Sequence, residues 1–123
     1  MQLLFANPAL RRVALSGEEL DAELGAAAGQ VARRRFAELR GAADLGEFGE
    51  LPGGYREKRD KFFVPLPEDA AILFKPVVGE LAAGRRRSLQ LRQARVIRVE
   101  RLARSFSVED LSARKARPRG GAL

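Results

Sequence analysis

The sequence predicts an α+β fold, RelE-like in outline, with an N-terminal strand and helices packed on one face of a small, mainly antiparallel twisted sheet. Three observations carry that expectation. A short apolar run at the start is followed by segments with helical periodicity and capping residues. Three strand-like runs then occupy the second half, each closed by proline or turn residues. Cysteine is absent from the 123 residues, and 46% of them are hydrophobic, so the fold rests on a single packed core rather than on disulfides.

Taken in order, QLLFA at 2–6 is rich in strand formers and predicts the first strand. Asn7-Pro8 is an N-cap followed by proline at the first helical position, which starts a short helix ending near Val13 or Ala14. Ser16 and Glu19 form a capping box ahead of Leu20 and Leu24, and Gly25 stops that helix. Across 26–43, Ala32, Phe36, Leu39 and Ala43 recur at helical spacing, while Arg33, Arg34 and Arg40 lie off the stripe. The glycines at 46, 49, 53 and 54 predict a loop with one helical turn near 45–48. Phe62, Val64 and Leu66 alternate, as do Ile72 and Phe74, with LPED at 66–69 as the turn between two strands. Pro65, Pro67 and Pro76 bound these runs, because proline cannot donate to an interior ladder. A loop is expected around 79–88, holding Arg85, Arg86 and Arg87. ARVIRVERLA at 94–103 is the last strand. Ser107 with Asp110 predicts a further helix start, and the basic residues after it a tail. The expected division is a domain over 1–106 and a short helix and tail over 107–123.

Charge is the most informative bulk property. The chain carries 23 Lys and Arg against 16 Asp and Glu, a net charge of +7. The excess is uneven: residues 81–123 hold twelve basic and three acidic residues, whereas residues 1–80 hold eleven and thirteen. Such asymmetry fits a polyanionic partner, since each neutralised phosphate releases counterions. A solubilising basic surface is the alternative. No apolar run approaches the ~20 residues of a membrane span. The first residues lack the layout of a secretory signal, and a cytoplasmic protein is expected. Histidine is absent, so imidazole catalysis and His/Cys zinc sites are excluded.

The cations group in the strand region. Arg56, Lys58, Arg59 and Lys61 precede or begin the second strand, and Lys75 ends the third. Arg98 and Arg101 lie on the last strand, with Arg104 just beyond it. Strand parity places 98 and 104 on one face and Arg101 on the other. Two readings of the 56–61 cluster stand: a grip on phosphates, or a charged edge that resists mispairing. Tyr55, the only tyrosine, is either a stacking or acidic group or part of the core.

The phrases LLFANPALRR, ARRRFAELRGAADLGEF, ELPGGYREKRDKFFVPL, ILFKP and ARVIRVERL, across residues 2–103, resemble the RelE/ParE toxin superfamily of type II toxin–antitoxin systems. The likeness is to its HigB-like, plasmid-maintenance branch. The resemblance implies a basic, cytoplasmic ribonuclease that cuts mRNA on the ribosome without a metal or other cofactor. It also implies a cognate antitoxin, expected to be a helix-turn-helix protein. The acid–base positions differ from the family pattern. Arg56-Glu57-Lys58 stands where a His before Glu-Leu-Lys is usual, Ala70-Ala71 where Tyr-Arg is, and Arg101-Leu102-Ala103 where Asp-Tyr-His is. Catalysis would then fall to Lys58, Lys75 and Arg56, with Arg59, Lys61, Arg98, Arg101, Arg104 and Tyr55 binding RNA. A lysine base would make cleavage rise toward alkaline pH. Two alternatives remain: a relative that binds RNA, ribosome or a partner protein without cutting, and a ParE-like toxin directed at gyrase.

Overall fold

A computed structural model of the chain describes residues 1–79 and 85–105. The helix start at Ser107 and the tail lie outside the described residues, as does the boundary expected after residue 106. Strands β1 (Gln2–Phe5), β2 (Arg56–Lys58), β3 (Lys61–Pro65), β4 (Ala71–Pro76) and β5 (Val96–Ala103) form one open sheet in the order β1-β5-β4-β3-β2. β1 lies parallel to β5, and the other neighbours are antiparallel. Five helices accompany the sheet among the described residues: α1 (Pro8–Ala14), α2 (Gly17–Leu24), α3 (Ala26–Gly41), α4 (Leu45–Gly49) and α5 (Arg85–Arg92).

Local chemistry sets the helix ends. Asn7 Oδ1 accepts from Leu10 N at 2.8 Å, and Ser16 Oγ accepts from Glu19 N at 3.2 Å, each satisfying an orphan donor of a first turn. Asp44 does the same for α4, accepting from Glu47 N at 2.9 Å. Gly25 ends α2 at φ 88°, a conformation that disfavours residues with a Cβ. Along α3 the predicted stripe holds for Ala32, Phe36 and Leu39. The helix ends at Gly41, however, so Ala42 turns inward and Ala43 is exposed.

The core has one side. Phe62, Val64, Ile72, Phe74, Ile97 and Val99 point to the face where residues of all five helices pack, among them Leu20, Phe36, Leu45 and Leu91. The alternate positions Phe63, Ala71, Leu73 and Ala103 form a separate apolar island on the other face. No described helix contributes to that island.

Three expectations are revised. Residues 85–88, expected in a loop, instead open a helix over 85–92: eight residues are too few for a stable isolated helix, and the burial of Leu91 against the core anchors it. Arg56–Lys58 forms an extra edge strand, too short and too charged to show an apolar alternation. In β5, Arg98 faces Lys75 and Arg101 faces Leu73, with a register shift at Leu73/Phe74 that leaves Glu100 as an additional residue in a bulge.

Candidate nucleic-acid interface

Register decides which cations share a face. Arg56 lies opposite Phe63, and Lys58 opposite Lys61, on the side away from the helices. Phe63 faces Leu73 across the next pair, and β4 then carries Lys75 two residues on, opposite Arg98. Without a bulge Arg101 would point to the opposite side from Arg98. The extra residue restores it to the same face, opposite Leu73, and so corrects the parity argument. Arg56, Lys58, Lys61, Lys75, Arg98 and Arg101 thus occupy one face around the apolar island.

Two cross-strand pairs on this face, Lys58–Lys61 and Lys75–Arg98, set like charges directly opposite each other. Such pairs destabilise a sheet. Arg98 is partly relieved, its Nε donating to Glu100 Oε2 at 2.7 Å. Arg56, Lys58, Lys61 and Lys75 have no carboxylate within 4.0 Å among the described residues. These four charges are thus left uncompensated by described carboxylates.

A cleft of about 170 Å³ opens within this face, lined by Asp60, Lys61, Leu73, Lys75, Glu100 and Arg101, among others. It is large enough for one phosphate group and its ester oxygens. Glu100 is the feature that sequence reasoning missed: as the extra residue of the bulge it lines the same cleft as Lys61, Lys75 and Arg101, with its carboxylate on Arg98. Its sole sequence signal was being the one acid within ARVIRVERLA.

Other expected residues lie elsewhere. Arg59 sits at the tip of the β2–β3 turn, where Arg59 (φ 52°) and Asp60 (φ 64°) both adopt positive φ, as a two-residue hairpin requires. Arg104 leaves the strand on the helix side, its Nη2 3.8 Å from where a Cβ on Gly25 would lie. It does not share the face of Arg98, contrary to the parity argument. Tyr55 is half-buried on the helix side, its ring centroid 5.8 Å from that of Phe74 and 6.2 Å from that of Phe62. Burial raises its pKa above the ordinary 10.0, partly offset by Arg92. The only phenol is thus separated from the cations by the sheet. Arg87, assigned to a loop, bridges from α5 to Glu57 at 3.5 Å and Asp60 at 3.2 Å, tying the hairpin to the helix layer.

Arg35, a second residue that the sequence did not single out, holds the turn that leads into β2. Only 4% exposed, it donates through Nη2 to Gly54 O at 2.7 Å and through Nη1 to Pro52 O at 3.1 Å. It also pairs with Glu38 and lies 4.6 Å over the Phe48 ring. A planar fork suits two carbonyls, a carboxylate and an aromatic face together. The available signal was its spacing with Ala28, Ala32 and Leu39, all on the buried stripe.

No protein-family model, curated protein or solved structure matches the chain. No helix among the described residues is long and apolar enough to cross a membrane.

Proposed function

We propose that this chain is an RNA-directed toxin of the RelE/ParE kind, a cytoplasmic, metal-independent endonuclease acting on mRNA in the ribosome. The observation that carries the reading is the set of cations on the face that no described helix covers, including two like-charge pairs whose repulsion a phosphate backbone would relieve. RNA lies across β2–β5, with Arg56, Lys58 and Arg98 holding flanking phosphates and the scissile phosphate in the Lys61–Lys75–Arg101 cleft. Glu100 takes the proton of the ribose 2′-hydroxyl, whose oxygen attacks the phosphorus. Lys75 gives a proton to the departing 5′-oxygen, leaving a cyclic phosphate and a 5′-hydroxyl. Lys61 and Arg101 offset the charge that develops on the phosphoryl oxygens. A cognate antitoxin, a helix-turn-helix protein, neutralises the chain by covering the same face.

A second reading is favoured by one observation. Histidine is absent and Tyr55 lies on the far side of the sheet, so a protein of this fold that binds RNA or ribosome without cutting needs fewer assumptions. Primer extension on ribosome-bound mRNA separates the two. Under the first reading the wild type cuts, and Glu100→Gln and Lys75→Ala lose about 100-fold or more in rate. An alkaline rise that vanishes in Lys58→Ala would move the base from Glu100 to Lys58. Binding without cleavage by the wild type establishes the second reading, and no binding to RNA or ribosomes refutes both.

A further inference from the structure

On the helix side of the sheet a cleft of about 300 Å³ is lined by Gly46, Gly49, Glu50, Tyr55 and Arg92. The two glycines make a wall without side chains. A Cβ on Gly49 would lie 2.9 Å from Tyr55 Cε1, and one on Gly46 would lie 3.0 Å from the Arg92 carbonyl oxygen. α4 can therefore sit against both residues and still leave the space above them open. Two residues that line this space carry donors without partners among the described residues. Arg92 is exposed and has no carboxylate within 4.0 Å among the described residues. The Tyr55 phenol makes no hydrogen bond to the described residues, although its ring is packed against Phe62 and Phe74. Glu50 supplies an acceptor at the same cleft.

We propose that this cleft binds a small phosphate monoester carrying a free hydroxyl. The Arg92 guanidinium takes two phosphate oxygens, the Tyr55 hydroxyl donates to one of them, and Glu50 accepts from the hydroxyl of the ligand. The volume is at the lower end of small-ligand pockets, which suits a molecule of a few carbons rather than a polymer. The site is separated by the sheet from the Lys61–Lys75–Arg101 cleft, and the proposal stands apart from the RNA reading.

The chain supplies its own reporter, because Tyr55 is the only tyrosine and tryptophan is absent. Glycerol phosphate titrated into the purified full chain is expected to change Tyr55 emission saturably, while glycerol leaves it unchanged. Arg92→Ala, at an exposed position, should keep the fold and weaken binding at least about tenfold. Tyr55→Phe, followed by calorimetry, should weaken it by about threefold to tenfold. Lys75→Ala and Arg101→Ala should bind like the wild type. Undiminished binding in Arg92→Ala, a loss in Lys75→Ala or Arg101→Ala, or no response to glycerol phosphate would each overturn the assignment.

Discussion

Arg35 shows how the approach to the cationic face depends on one buried side chain that lies outside that face. Its guanidinium fixes the carbonyls of Pro52 and Gly54, and these lie immediately before Tyr55 and β2. Truncation to alanine leaves those acceptors unpaired and removes the contact with Phe48, a loss of about 3 kcal/mol. Thermal denaturation of Arg35→Ala should show a Tm lower by roughly 10 °C. Arg35→Lys should recover only part of it, since a single ammonium cannot reproduce the fork. At Tyr55 the sign of the pH effect is set by burial. The folded pKa is raised above the unfolded 10.0, so the unfolded chain loses its phenolic proton first. Stability from this group is complete below about pH 10 and falls as pH rises toward the folded value. Denaturant midpoints should therefore drop less steeply across that window in Tyr55→Phe than in the wild type, and tyrosinate absorbance should titrate above 10.0.

The β2–β3 hairpin and the β5 bulge are the two elements that build the cationic face. The hairpin's outer strand β2 is an edge of three exposed residues, and the hairpin is held from the helix side by Arg87 through Glu57 and Asp60. Partly exposed ion pairs are weak, so Arg87→Ala should lower global stability by less than about 1 kcal/mol. Its effect should be local. Hydrogen exchange should show faster opening of the amides of 56–61, with β4 and β5 unchanged. The bulge has a different role: one inserted residue sets Glu100 in the cleft and turns Arg101 toward Lys75. Most elements were legible from capping residues, prolines and alternation, because these are local signals. α5 and β2 were not, because each depends on a neighbour: α5 on the burial of Leu91, β2 on pairing with β3.

For the whole molecule, charge has a side. The helix layer carries its own exposed arginines, such as Arg11, Arg12 and Arg34, yet the like-charge cross-strand pairs occur on the opposite face. If RNA binds that face, replacing Lys61, Lys75 and Arg101 together should flatten the dependence of log affinity on log salt by about 2, near 0.7 for each lost phosphate contact on a single strand. Replacing Arg11, Arg12 and Arg34 removes equal charge and should leave the slope nearly unchanged. Equal effects from both triples would mean that net charge, rather than the sheet face, drives association.

What the sequence by itself determined is the α+β class, the order of its elements apart from β2 and α5, the caps of α1 and α2, and the presence of an unusual cationic cluster. These follow from near-neighbour chemistry, in which a residue and those within four positions of it settle the outcome. Only the tertiary structure decided which cations act together. Parity counted along a single strand placed Arg98 with Arg104 and set Arg101 apart. One bulge reversed that grouping, because an added residue turns every following side chain to the other face. The same holds for Arg35 and Tyr55, whose surroundings come from segments far along the chain. Their burial depends on how the layers pack, which no local pattern records.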